Sequence, residues 1–325
     1  MKLRYRAALA LLCLALAAPA SAQQTMVITT NPQGTSFYSA GAAIAKLMSD
    51  QGMPAIVRPT AGASSNVPSL DKGEIDFAVL HVLDTGPAYE ATGDYAGRPP
   101  AKNLRLATVV FQVLFSIMVV QDSPYKELKD LRGVRMPTEF TAQSAVLPNI
   151  QAMLATAGLS LADMKPFPVP NYVMGIRALG EGKVDATAVT PGIGPSREAA
   201  ANLASRGGTR LLSLPNSPQA VAAMKKWVPA MRLTTLKPDP SMPEVKSTVT
   251  ATETSVYLVT HKGIPDEMVY KTVKAIRDNK DEYMKAAPTI RSFNPDHMAE
   301  ANAAPYHPGA EKYYREIGQW PPKAP

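Results

Sequence analysis

Ser69-Leu-Asp-Lys-Gly-Glu-Ile-Asp-Phe-Ala-Val-Leu-His81 is the stretch whose reading decides the fold. It has the pattern of a helix end, a glycine stop at Gly73, an aspartate turn at Asp76 and a short apolar strand from Phe77 to Leu80. A helix that stops at glycine and feeds an apolar strand is one half of an α/β unit. About a hundred residues later the pattern returns as Ala178-Leu-Gly-Glu-Gly-Lys-Val-Asp-Ala-Thr-Ala-Val-Thr190, so that Gly73-Glu-Ile-Asp76 answers Gly182-Lys-Val-Asp185. The repeat predicts two similar α/β lobes. Chance is the alternative, because short Gly-x-x-Asp echoes are common in α/β proteins. Ligands of open α/β sheets bind beyond the carboxyl ends of the strands. On the two-lobe reading, His81 to Asp84 and Thr190 to Gly194 face each other across a cleft.

Working outward, the chain begins Met1-Lys-Leu-Arg-Tyr-Arg6, continues with an apolar run over Ala7 to Ala18, and reaches Pro19-Ala20-Ser21-Ala22. A basic start, a short apolar run and Ala-x-Ala predict a secretory signal peptide over residues 1–22, cut after Ala22. The run is too short for a mature membrane anchor. Cys13 lies inside it, preceded by Leu12 rather than a small residue, so lipid anchoring is not expected. It is the one cysteine, which leaves the mature chain without a thiol nucleophile or a cysteine metal site and suits an oxidising compartment. Formal net charge is +7 at pH 7, and Lys2, Arg4 and Arg6 leave with the signal, so the mature chain carries +4. No basic block resembles a nucleic-acid arm. The expectation is a protein of two medium domains, in the periplasm if the source is Gram-negative.

Met26–Thr30 reads as the first strand, Asn31 to Tyr38 as a loop, and Ala40 to Gln51 as an amphipathic helix. Strand, glycine-containing loop and helix start can bind an anion, because the first helical N–H groups are unpaired. The bland alternative is an ordinary strand-to-helix turn. Ser64, Ser65 and Asn66 are capping residues, or a second hydroxyl-rich helix start on the same sheet edge. The β-branched and aromatic content of Leu104 to Gln121 favours strand over helix, but the run is too long for one ordinary strand. It reads as two strands with a crossing between lobes near Gln112 to Ser116. In the second lobe Gly133 to Pro137 is a strand, Thr138 to Ser144 a loop and Ala145 to Gly158 a helix. The alternation continues to Trp227, as in a largely parallel sheet. Pro229 to Ser247 reads as a proline-rich loop, Thr254 to Thr260 as a strand returning to the first lobe, and Asp296 to Ala303 as helical. The lobes are then 23–114 with 254–325, and 115–253. Two crossings make a hinge suited to closure around a ligand.

With these elements in place, the chain resembles the TAXI-type solute receptors of TRAP transporters, extracytoplasmic binding proteins of the two-lobed type II periplasmic fold. The resemblance rests on Pro32-Gln-Gly-Thr-Ser-Phe-Tyr38, Pro59-Thr-Ala-Gly-Ala-Ser-Ser-Asn66, the two Gly-x-x-Asp turns and the tail His307-Pro-Gly-Ala-Glu-Lys-Tyr-Tyr-Arg-Glu316. It implies a receptor that captures a small carboxylate and passes it to TRAP membrane subunits, with no cofactor. Carried over position by position, it implies ligand contacts from Thr35, Ser36, Phe37, Tyr38, Ser64, Ser65 and His81 in the first lobe. In the second it implies Thr141, Gln143, Ser144, Thr190 and Gly192. The chain departs from the family at Phe140-Thr-Ala-Gln143, where glycines are usual, and at His81-Val-Leu-Asp84. The ligand is therefore expected to differ from glutamate.

His81, His261, His297 and His307 show no metal spacing, and no Gly-x-Ser-x-Gly or Ser-x-x-Lys motif marks a nucleophile. Two other readings stand beside the receptor. One is an enzyme on the same fold, for which His81 or Glu139 is the candidate base. The other is a subunit that presents its ligand to a membrane sensor.

Overall fold

The computed structural model describes residues 25–323 apart from 142, 144 and 145. The signal peptide and the Ser144 contact lie outside the described residues. The chain first lays down β1 (Met26–Thr30), α1 (Ser36–Asp50), β2 (Ala55–Pro59), α2 (Ala63–Asp71), β3 (Phe77–His81) and α3 (Val82–Glu90). β1 lies between β2 and β3 and runs parallel to both. β3 then borders β10 (Val249–His261), and β10 borders β4 (Leu104–Val120).

β4 departs from the sequence reading. It is one strand of 17 residues, not two. Its continuity follows from a change of partner. Leu104 to Phe115 pair with β10, whereas Ser116 to Val120 pair with β7 (Ala186–Val189) and β8 (Thr209–Leu212). Two register shifts opposite Val256/Tyr257 and Leu258/Val259 take up the twist of so long a ladder. β10 also changes partner, pairing through Val249–Glu253 with β9 (Arg232–Leu236) and through Val256–Thr260 with β3. β9 lies inside the stretch expected to be loop. β4 and β10 run antiparallel to every strand they touch, so the sheet is mixed.

The second run of α/β units comprises β5 (Arg135–Phe140), α4 (Val146–Ala155), β6 (Lys165–Val169), α5 (Tyr172–Gly180), β7 and α6 (Gly194–Asn202). β5 extends through Thr138 to Phe140, which the sequence placed in a loop, because it pairs in parallel with β6 as far as Val169. The repeated turns have the same hydrogen bonds. After α2, Gly73 N–H reaches Leu70 O and Glu74 N–H reaches Ser69 O; after α5, Gly182 N–H reaches Leu179 O and Lys183 N–H reaches Ala178 O. Gly73 and Gly182 sit at φ +71° and +70°, a region that a side chain would strain. Asp76 then accepts the Val27 N–H at 2.8 Å, and Asp185 accepts the Arg135 N–H at 2.9 Å. Each turn thus ties its helix end to the first strand of its own run.

α7 (Pro218–Lys225), α8 (Asp266–Asp278), α9 (Lys280–Lys285) and α10 (Pro308–Glu316) complete the covering layers. Residues 296–303, expected to be helical, are turns and extended chain. Glu300 is drawn into the interior there, where it accepts from Tyr257, meets His297 at 3.1 Å and bonds Ser255. Arg232 of β9 reaches Gln112 on β4 at 3.1 Å and Glu253 on β10 at 3.3 Å, which fastens the three strands where they cross. One continuous apolar core runs from Ile28, Ile44 and Phe77 through Phe111, Val119 and Leu179. Burying each such side chain contributes about 1.5–3 kcal/mol.

Candidate functional site

A cavity with about 610 Å³ of atom-free space, part of it open to solvent, lies between the two runs of α/β units. Asn31, Thr35, Ser36, Phe37, Ala63, Ser64, His81 and Asp84 line it on one side. Phe115, Gln143, Val146, Asn149, Tyr172, Thr190 and Ile193 line it on the other.

The topology explains this grouping. Each of β1, β2, β3, β5, β6 and β7 is followed by a helix whose cap or first turn lines the cavity. Thr35 caps α1, accepting the Tyr38 N–H at 3.2 Å, and Ser36 and Phe37 are its first residues. Ala63 and Ser64 start α2, and His81 caps α3. Val146 starts α4, Tyr172 starts α5, and Ile193 precedes α6. Six helix N-termini therefore meet at one cavity, each with a partial positive charge. The starts of α2 and α6 carry no side-chain cap. No lysine or arginine is among the described lining residues. Among the described lining residues, the helix starts are therefore the source of positive potential.

The molecule already holds one carboxylate in this way. Glu244 is fully buried beside the α6 start, where one oxygen accepts the Gly192 N–H at 2.6 Å and the Ser196 hydroxyl at 2.7 Å. Among the described residues no ion pair reaches it, and its second oxygen has no hydrogen-bond partner.

The titratable lining groups are on the first-lobe side. His81 is buried, and burial pulls its pKa down to about 3, so the ring is neutral at ordinary pH. Its Nδ1 accepts the Leu83 N–H at 3.4 Å, which assigns the proton to Nε2 and makes Nε2–H the donor to the Thr254 hydroxyl at 2.6 Å. Both ring nitrogens are thereby engaged. Burial pushes Asp84 up to about 7, helped by the negative charge of Asp94 and opposed by hydrogen bonds from the Tyr95 hydroxyl and the His81 backbone. The Tyr95 bond to Oδ1 is 2.9 Å.

Across the gap the polar groups are neutral. Gln143 accepts the Tyr172 N–H with Oε1 at 2.8 Å, which leaves its amide NH2 as a donor. Among the described residues the Tyr172 hydroxyl is buried without a hydrogen-bond partner. The Thr190 hydroxyl and N–H are near enough to act on it, but burial dominates and raises its pKa. Aromatic rings link the two sides. Phe37 lies 6.5 Å from His81, His81 stands edge-on to Phe115 at 6.4 Å, and Phe115 stands edge-on to Tyr172 at 5.7 Å.

Of the residues singled out from sequence, Thr35, Ser36, Phe37, Ser64, His81, Gln143 and Thr190 come together in this lining. Tyr38, Ser65, Thr141 and Gly192 stand outside it. Tyr38 is one helical step past Phe37 and half-buried elsewhere. Ser65 donates to Gly62 O at 2.9 Å, and Thr141 is exposed and donates to Pro170 O at 3.3 Å. Gly192 gives its N–H to Glu244 and is covered by Ser241 and Met242. Asn31, Asp84, Phe115, Asn149, Tyr172 and Ile193 were not singled out as contacts. Asn171, a cap directly after β6, was the available signal for Tyr172: it marks another helix start at a strand end.

Among the described residues no cluster of His, Cys, Asp and Glu is placed to hold a metal ion, and no helix is long and apolar enough to cross a membrane. Glu139, one of the two candidate bases, is exposed and outside the lining.

A solved structure described as a periplasmic transporter is similar over 92% of this chain and 94% of its own, with a TM-score of 0.56 and 15% identity. An amino acid ABC transporter substrate-binding protein from Streptococcus pneumoniae, bound to L-arginine, is similar over 82% of this chain and 95% of its own, with a TM-score of 0.48 and 14% identity. The periplasmic aliphatic sulphonate binding protein of Escherichia coli gives 83%, 75%, 0.45 and 16% on the same measures. The architecture is the two-lobed α/β fold of periplasmic substrate-binding proteins. The NMT1-like family matches residues 28–318, which takes in both runs of α/β units, the crossing strands and the C-terminal helix, and the chain belongs to that family.

Proposed function

We propose that this chain is an extracytoplasmic solute receptor that captures a small organic acid between its lobes and delivers it to a membrane permease. The observation that carries the reading is the meeting of six helix N-termini at a cavity lined in part by aromatic rings and, among the described residues, by no lysine or arginine. Such a site holds a carboxylate by N–H groups and hydroxyls, and an apolar body by Phe37, Phe115 and Tyr172. The lobes are 23–114 with 254–325, and 115–253, and they close about β4 and β10. The receptor acts as a monomer in the periplasm after loss of its signal peptide. The sequence motifs favour a TRAP-type permease; an ABC-type permease is the competing partner, and uptake by the receptor reconstituted with each membrane component decides between them.

The enzyme reading is the weaker one. His81 has both nitrogens engaged, and Glu139 is remote from the cavity. Asp84 titrates in a useful range, but no nucleophile or metal cluster accompanies it among the described residues. A ligand-presenting sensor subunit would share the same site, and it is distinguished by signalling without uptake. The test of binding is a thermal-shift panel on the mature protein, refolded to strip carried-over solute, with organic acids against sugars and cations. Ligand at a hundred times its dissociation constant adds about 2.7 kcal/mol. A shift from an acid without turnover is the expected result; a response to sugars or metal ions alone would contradict the reading.

A further inference from the structure

Asp84 is the one ionisable acid among the described lining residues, and it faces a cavity that otherwise offers donors and neutral rings. It is 5% exposed and sits in the first turn of α3. Among the described lining residues no lysine or arginine is present to neutralise it. Whatever part of a ligand lies against Asp84 therefore meets an acceptor, and a negative charge when the group is ionised.

We propose that Asp84 sets the charge class of the ligand, admitting a monocarboxylate that presents a hydrogen-bond donor to it, such as a hydroxy or amino group, and rejecting a dicarboxylate while Asp84 is ionised. The inference rests on the reading of the cavity as an organic-acid site. The dipoles of the helix starts compensate one carboxylate; a second one placed against Asp84 has no counter-charge. Two carboxylates about 5 Å apart in a partly screened site disfavour each other by on the order of a hundredfold in affinity.

The surroundings of Asp84 set where the discrimination changes with pH. His81 at the end of β3 is neutral. Thr254 on β10, Ser64 on α2 and Asn302, which holds Thr85 at 2.9 Å, do not titrate. The turn after α3 contributes Asp94, Tyr95 and Arg98, with the Arg98 guanidinium 5.4 Å from the Tyr95 ring centre. Burial and Asp94 together put the proton of Asp84 in play near neutrality. Dicarboxylates are then tolerated as pH falls through about 7, where Asp84 becomes neutral.

The experiment is calorimetric titration of the mature protein between pH 5.5 and 8.5 with 2-hydroxy and 2-amino monocarboxylates, and with succinate and glutarate. It is run on the wild type, Asp84→Asn and Tyr95→Phe. Asparagine keeps an acceptor for the Tyr95 hydroxyl. At pH 8 the wild type is expected to prefer the donor-bearing monocarboxylate, and Asp84→Asn to raise dicarboxylate affinity at least tenfold relative to it. Tyr95→Phe removes a donor that stabilises the ionised form, so the pH at which wild-type discrimination fades moves upward. An unchanged preference in Asp84→Asn, with an acid still bound, would overturn the proposal and leave the receptor reading intact. Failure of every acid to bind the wild type and both variants would overturn that reading as well.

Discussion

The turns Gly73-Glu-Ile-Asp76 and Gly182-Lys-Val-Asp185 make the same hydrogen bonds in the two lobes, yet the cleft walls that they support differ. Each turn closes a helix and fixes an aspartate on the backbone N–H of its lobe's first strand. Each lobe then brings three helix starts to the cavity. Beyond that frame, the first-lobe side carries the titratable pair His81 and Asp84, and the second-lobe side carries neutral Gln143, Tyr172 and Thr190. The frame is a property of strand ends and helix starts and repeats with the topology. The walls are built from single side chains, which vary without disturbing the frame.

The comparison breaks first at the point where the walls meet. Phe115 is the last β4 residue paired with β10, and its ring touches both His81 and Tyr172. Phe115→Ala is expected to cost about 3–5 kcal/mol of stability, through lost burial and a cavity at the crossing. Urea denaturation measures it; a loss below about 1 kcal/mol would mean that the two walls do not depend on each other there.

The titratable side is tested by pH. His81 is held neutral, so its contribution is present above its unfolded value of 6.5 and is lost as pH falls toward 3. Asp84 is raised, so its contribution is present below its unfolded value of 3.8 and is lost as pH rises toward 7. Between about pH 4 and 6.5 the two slopes oppose each other, each approaching about 1.4 kcal/mol per pH unit. Relative to wild type, Asp84→Asn is expected to make stability climb more steeply with pH in that window, and His81→Asn to make it fall. Parallel pH profiles for wild type and both variants would show that neither group changes its protonation on folding.

The frame itself is tested by Asp76→Ala and Asp185→Ala. Both remove one backbone hydrogen bond, for about 1 kcal/mol each. Asp185 also meets the Arg135 guanidinium at 2.7 Å, which draws its pKa down first by that hydrogen bond. This exposed pair adds at most about 1 kcal/mol, screened by salt and lost when acid protonates Asp185. The stability lost by Asp185→Ala is expected to shrink as salt is added and that lost by Asp76→Ala to stay constant; a loss that shrinks more for Asp76→Ala would contradict the account.

Much of the frame was legible in the sequence, because glycine stops, capping residues and apolar runs act locally. Gly73 and Gly182 marked the echo, and Thr35, Ser36, Ser64 and Gln143 could be placed near strand ends. What escaped depends on distant partners. Leu104 to Val120 reads as too long for one strand until each half is given its own neighbours. Residues 296–303 look helical in isolation, but they form turns and extended chain, with Glu300 and Met298 drawn into the core. Asp84 was visible at the end of β3, whereas its burial against Tyr95 was not. Tyr172 belongs to the wall because Gln143 of the preceding unit holds its N–H.

The most direct test of the cavity as the binding site is calorimetric titration of Val146→Trp with an organic acid that the wild type binds. Val146 is buried in the lining at the start of α4, and an indole there fills the space between the lobes. The account predicts at least a hundredfold loss of affinity, with cooperative unfolding retained. Wild-type affinity in a folded Val146→Trp protein would mean that the acid binds elsewhere, and that the meeting of the six helix starts is not the receptor site.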